Sequence, residues 1–195
     1  MRQTLTGKLG FWAMLAFVFA YLGVLSGAMF YFQFAMAELP CPLCITQRMG
    51  MMLSSLGAIY VLVHALRDTV TPKHFTTGLG LAVLGALLGA SMSIRQILLH
   101  IVPPDPGFGS EVLGLHLYTW AFISFVVVLV FSGGMLVFAN EFTPDAPSSP
   151  ALRAIAWIII WAFVATIALN MVVVFALEGF NWFLPDNPSR YELFG

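Results

Sequence analysis

Charge is what this sequence lacks most. Only 9% of its 195 residues are Asp, Glu, Lys or Arg, against 60% hydrophobic. Soluble domains carry about a quarter charged residues, so a water-soluble fold of this size could not hide the apolar surface. No basic stretch points to nucleic acid, and no acidic tail points to disorder. Cysteine is almost absent too. Cys41 and Cys44 are the two in the chain, which excludes a disulfide-rich scaffold and leaves one local pair. Neither an internal repeat nor a segment polar enough for a soluble domain is visible.

What remains is a series of apolar runs. A hydrocarbon core about 30 Å thick needs roughly 20 apolar residues per helix. Five segments qualify, at about 10–33, 44–66, 77–102, 117–140 and 154–177. Lipid offers no partner for unpaired backbone groups, so all five are expected to be helices. The fold expected is an all-α integral membrane protein, a bundle of five transmembrane helices forming a single transmembrane domain over 1–195. The first run, Leu9 to Ala37, is far longer than the ~7–15-residue core of a signal peptide and has no convincing A-x-A site. It is read as a retained first span. Breakers mark the connections: Pro40 and Pro42 after helix one, Pro103-Pro104-Asp105-Pro106-Gly107 after helix three, and Pro144, Pro147 and Pro150 before helix five. The tail from Glu178 is polar and aromatic, with Trp182 and Tyr191.

Lysine and arginine orient the bundle. Arg2, Lys8, Arg67, Lys73 and Arg153 fall on one side if five helices alternate, against Arg190 and the helix-end residues Arg48 and Arg95 on the other. The N-terminus is expected in the cytoplasm. The cysteines, the Pro103 loop and the C-terminus are expected on the far side, the periplasm of a bacterium, where disulfides persist. Glycines punctuate helices two and three: Gly50 and Gly57, then Gly78, Gly80, Gly85 and Gly89. They are read as close helix packing.

Chemistry concentrates in Cys41-Pro42-Leu43-Cys44-Ile45-Thr46-Gln47-Arg48. A C-x-x-C pair closes a small disulfide ring that opens and re-forms readily. Cys44 is expected at the N-terminal end of helix two, where unpaired amides and the helix dipole favour a thiolate. Arg48, four residues on, shares its face, and its fixed positive charge adds to that preference. A stabilised thiolate is both a good leaving group and an electron donor. Bland readings stand beside these. Arg48 near a helix end can snorkel to the headgroups. The pair can be a structural disulfide, although so small a ring restrains the unfolded chain little. Zinc lacks a second cysteine pair, and His64, His74, His100 and His116 do not complete a ligand set. No metal is expected. Covalent haem needs C-x-x-C-H, and Ile45 stands at the histidine position.

The run Pro40 to Arg48, directly after a first membrane helix, resembles the disulfide-bond formation protein B (DsbB) family. Ser93-Ile94-Arg95-Gln96-Ile97-Leu98-Leu99 and Leu113-Gly114-Leu115 followed by Trp120 resemble it further, over about residues 9 to 140. The resemblance implies a quinone-dependent thiol–disulfide oxidoreductase of the bacterial inner membrane. It would pass electrons from a periplasmic thioredoxin-fold dithiol protein through Cys41 and Cys44 to ubiquinone or menaquinone. It assigns Cys44 to the sulfur facing the quinone and Arg48 to the arginine that polarises it. Arg95 and Gln96 are implicated at the headgroup, with Leu117 and Trp120 as walls. Two departures accompany it. The family's second cysteine pair, in the loop between helices three and four, is missing from Pro103–His116, and a fifth helix follows the usual four. A non-catalytic membrane subunit or assembly factor with a structural disulfide is therefore the second reading. A small transporter is a third, against which the helices hold few ionisable residues to line a pathway.

Overall fold

The computed structural model describes residues 4–181 and 183–194. Arg2, counted above for orientation, and Trp182 lie outside the described residues. Five helices in it are long and apolar enough to cross a membrane. Helix α1 (Leu5–Ser26) runs on as a π-helical segment, Gly27–Ala35. Then come α2 (Pro42–Leu66), α3 (Pro72–Leu99), a two-stranded hairpin of β1 (Glu111–Val112) and β2 (Leu115–His116), α4 (Leu117–Val137), the single turn α5 (Ala139–Phe142) and α6 (Pro150–Glu178).

Several helices begin earlier than the apolar runs suggest, because caps start them rather than hydropathy. Thr71 Oγ1 accepts from the His74 amide at 3.3 Å, and Ser149 Oγ accepts from Leu152 at 3.4 Å. Pro72 and Pro150 follow in the first turn, where a missing N–H costs nothing. Residues 72–76, read from sequence as part of a loop, are thus the first turn of α3, and Pro150 opens α6. At its other end α3 stops at Leu99 instead of running to Val102.

Helix α2 is the spine. Most of its inner face is buried against α3, with α1, α4 and α6 also touching it. Small residues make the α2–α3 approach possible. A Cβ on Gly50 would lie 2.7 Å from Gly89 Cα, and Gly57 and Gly78 face each other's backbone. Ser54 Oγ bridges the seam to Ala82 O at 3.0 Å. Gly80 is the exception to the packing expectation, since open space surrounds it. Phe11, Phe75, Phe125 and Phe163 fill the core from α1, α3, α4 and α6. Outer faces carry exposed side chains such as Phe19, Val130, Ile158 and Trp161, suited to hydrocarbon.

One end of the bundle is tied by polar contacts. Thr4 binds Asp145 through its amide (2.7 Å) and its hydroxyl (2.9 Å). Arg153 pairs with Asp68 at 2.9 Å and donates to Leu66 O. The other end carries the cysteines, the hairpin and the tail. After α6, Gly179 at φ 64° turns the chain back. The amides of Glu192 and Leu193 donate to Leu177 and Ala176 carbonyls, both at 3.1 Å, laying the tail along the end of α6.

Candidate functional site

Cys41 is the N-cap of α2, and its sulfur accepts from the Cys44 amide at 3.2 Å. Pro42 occupies the first turn, so the chain enters the helix with both cysteines on its opening turn. The two sulfurs lie 2.6 Å apart. They differ in surroundings. Cys41 is only 5% exposed and faces the protein, whereas Cys44 lies on the wall of a cavity of about 750 Å³.

That cavity sits between α1, α2 and α4, roofed by the loop after α3. Its wall is largely apolar and aromatic, and includes Leu117 and Trp120. Cys44, Gln47 and Arg48 add polar atoms from one face of α2. Size and lining are those of a small-molecule site, in which a few placed polar groups orient an apolar ligand. The Trp120 indole N–H donates to Val112 O at 2.8 Å, which fixes the ring against the hairpin.

Arg48 is 8% exposed and does not snorkel outward. Its Nη1 donates to Gln33 Oε1 at 2.7 Å, and its Nη2 to Ala28 O at 3.2 Å. Both acceptors belong to the π-helical end of the first span. A π-helix re-aims carbonyls and side chains relative to an α-helix, and here it turns an amide and a carbonyl toward a buried cation. Gln33 in turn donates through Nε2 to the Tyr191 hydroxyl at 3.1 Å.

Gln96 reaches the sulfurs from α3. Its Nε2 lies 3.4 Å from Cys41 Sγ and 3.6 Å from Cys44 Sγ, while its Oε1 accepts from Gln47 Nε2 at 2.7 Å. Gln96 is buried behind the cysteines and is not part of the cavity wall. Its neighbour Arg95 is exposed and takes no part in that wall. The step of one residue along a helix turns it about 100° away, so Arg95 is not brought to the site. Gln33, Ala28 and Tyr191 were not singled out as site residues from sequence. The available signal was Gln33 itself, a polar residue between Phe32 and Phe34 in an apolar span.

The loop after α3 folds down over the site. Glu38, just before the cysteines, accepts from the Ser110 amide at 3.2 Å and from its hydroxyl. Leu113 (φ 52°) and Gly114 (φ 78°) form the two-residue turn of the hairpin. The loop borders the cavity, with Phe108 on its wall and Leu113 at the hairpin tip, 88% exposed.

Apolar spanning helices carrying a cysteine pair beside an internal cavity define a multi-pass membrane protein of the thiol–disulfide class. Residues 10–110 match the family described as Disulfide bond formation protein DsbB. A Disulfide bond formation protein B of Chromobacterium violaceum is 36% identical over 131 residues, 65% of this chain and 74% of that protein. One from Hahella chejuensis is 30% identical over 151 residues, covering 74% and 87%. No solved structure matches. The chain belongs to the DsbB family, and is a disulfide oxidoreductase of the bacterial inner membrane.

Proposed function

We propose that the protein oxidises a periplasmic thioredoxin-fold dithiol protein at Cys41–Cys44 and delivers the electrons to a membrane quinone held in the cavity beside Cys44. The observation that carries this reading is the asymmetry of the pair. Cys44 and Arg48 share the cavity wall, while Cys41 sits behind it, in contact with Cys44 but off the wall.

The donor set fits a quinone headgroup. Arg48 offers N–H donors for a carbonyl oxygen, and Leu117 and Trp120 offer flat or apolar wall for a ring. When bound, ubiquinone or menaquinone supplies the two-electron, two-proton acceptor. Everything else falls to the chain. The partner's thiolate attacks Cys41, because Cys44 is the better leaving group. The fixed charge of Arg48, which shares the cavity wall with Cys44 and not with Cys41, favours negative charge on it, and the Gln96 amide shared by both sulfurs adds to that. A mixed disulfide then holds the partner on Cys41. The partner's second thiol displaces Cys41 and leaves the dithiol form. The Cys41–Cys44 bond then re-forms from the dithiol, with two electrons and two protons leaving the pair for the acceptor in the cavity beside Cys44. Arg48, anchored by Gln33 and Ala28, keeps positive charge at that wall throughout. On this reading the cysteine end of the bundle is periplasmic and the N-terminus cytoplasmic.

The test is a reconstituted assay with reduced partner, quinone and membranes. Cys41→Ser and Cys44→Ser should each abolish quinone reduction, and Cys44→Ser mixed with the oxidised partner should hold it in a mixed disulfide on Cys41, one partner thiol being released. Turnover surviving in either variant would place the redox centre elsewhere. An inert Cys41–Cys44 pair that traps no partner would favour a non-catalytic scaffold.

A further inference from the structure

Outside the thiol chemistry, the site holds a buried polar chain that no cysteine explains. It runs from Arg48 through Gln33 to Tyr191 and joins α2, the π-helical end of α1 and the segment after α6. We propose that Tyr191 is a positioning residue, which holds the Arg48 guanidinium in place at the cavity wall by pairing the Gln33 NH2 and so keeping the Gln33 oxygen on Arg48. The proposal rests on the reading that the cavity takes a quinone.

The chemistry of the three groups dictates the order. A guanidinium has donors only, so Arg48 needs an oxygen from Gln33. Turning Oε1 toward Arg48 points the Gln33 NH2 the opposite way. Gln33 is 2% exposed, so water does not satisfy that NH2 freely. An unpaired buried donor is costly, and the Tyr191 hydroxyl accepts from it at 3.1 Å. Arg48 therefore sets the amide orientation, and the Tyr191 hydroxyl pairs the NH2 that this orientation turns away from it. Without the hydroxyl, the Gln33 NH2 is buried and unpaired, so the side chain gains by shifting toward another partner and the 2.7 Å bond to Arg48 weakens.

The tail is built to deliver that hydroxyl. Gly179 adopts φ 64° and starts the return. Pro188 is buried, and the amides of Glu192 and Leu193 pair with the last carbonyls of α6 on the far side of Tyr191. Tyr191 is held at its own backbone, since its carbonyl accepts from Phe194 at 3.2 Å. This gives α6 and its tail a task at the site, although both lie beyond the 10–110 stretch that matches the family.

The experiment compares wild type, Tyr191→Phe and Arg190→Ala in proteoliposomes, with a reduced thioredoxin-fold protein and a short-chain ubiquinone analogue. Tyr191→Phe removes one oxygen and keeps the ring. It should raise the quinone KM roughly three- to tenfold, the equivalent of one hydrogen bond. It should leave kcat within about twofold and the thermal midpoint unchanged, because the backbone contacts of the tail remain. Arg190→Ala alters the same tail at an exposed ion pair with Glu192 and should match wild type. In a Gln33→Leu background, Tyr191→Phe should add nothing further. A wild-type KM in Tyr191→Phe, or a full effect persisting without Gln33, would overturn the proposal while quinone reduction itself stands. Wild-type protein that reduces no quinone would overturn the underlying reading and this one with it.

Discussion

Gln96 offers the most direct perturbation of the sulfurs. Its Nε2 is within 3.4 Å of Cys41 Sγ and 3.6 Å of Cys44 Sγ. A hydrogen bond to a charged acceptor contributes about 1.5–3 kcal/mol. One NH2 shared between two sulfurs at these distances belongs at the low end, about 1.5 kcal/mol. The donor stabilises the reduced, thiolate-bearing pair and does little for the oxidised one. Gln96→Leu should therefore make the pair harder to reduce. About 1.4 kcal/mol corresponds to 30 mV for a two-electron couple, so the potential should fall by roughly 30 mV. The rate of attack by the partner should drop about tenfold as Cys44 becomes a poorer leaving group.

Gln96→Leu also strands Gln47 Nε2, which now donates to Gln96 Oε1 at 2.7 Å and is buried. Gln96→Glu separates the two effects. It keeps an acceptor for Gln47, removes the donor to sulfur and adds a negative charge beside the thiolate, which like charge disfavours. If the donor matters, the Glu variant should be at least as impaired as the Leu variant. The readout is the fraction of reduced pair at equilibrium in glutathione buffers, scored by alkylation, alongside partner oxidation rates. A wild-type potential in both variants would refute the argument. A wild-type Glu variant with a damaged Leu variant would reduce Gln96 to a support for Gln47.

Arg48→Lys should keep the charge but lose the simultaneous hold on Gln33 and Ala28, so quinone kinetics should recover only in part relative to Arg48→Ala; wild-type kinetics in Arg48→Ala would remove Arg48 from the site. Ser110→Ala should loosen the loop from Glu38 and speed maleimide labelling of reduced Cys44, on the cavity wall that the loop roofs, several-fold, with an unchanged rate showing that the loop does not limit access. Gly50→Ala should destabilise the α2–α3 seam by roughly 1–3 kcal/mol through overpacking, read as a lower thermal midpoint. Gly80→Ala, with open space around it, should be neutral or mildly stabilising. A reporter fused after Gly195 should be active only in its periplasmic form, and a cytoplasmic signal would contradict five alternating spans.

The parts of the site that sequence displays are the local ones. Cys44 and Arg48 are four apart on one helix, so their shared face follows from helical geometry, and the cavity wall holds both. Hydropathy locates the spans because lipid imposes their length and composition. It misplaces their starts, since Thr71-Pro72 and Ser149-Pro150 are polar or helix-neutral residues that begin helices by capping them. Contacts between distant segments leave no such trace. Gln33 and Arg48 meet across the α1–α2 turn, and Tyr191 reaches Gln33 from the opposite end of the chain. Arg95 and Gln96 carry equal weight in a motif read as letters. A helix separates them by rotation, sending Gln96 to the sulfurs and Arg95 to the surface.

The missing second cysteine pair changes what the loop after α3 has to do. On the proposed reading, with no cysteine in Pro103–His116, exchange falls on Cys41 itself, yet Cys41 is 5% exposed. The loop is held by side-chain and backbone contacts rather than by a covalent bond. Ser110 grips Glu38, Asp105 accepts from His100 and from the Gly107 amide, and Trp120 holds the hairpin at Val112. Contacts of that kind, outside a packed core, open locally at small cost compared with global unfolding. Phe108 lies on the cavity wall while Leu113 projects from the hairpin tip. A partner that engages Leu113 would pull on the strand leading back to Ser110 and so loosen the loop from Glu38 at the cavity mouth. Docking and opening of the cavity mouth beside Cys44 would then be one event.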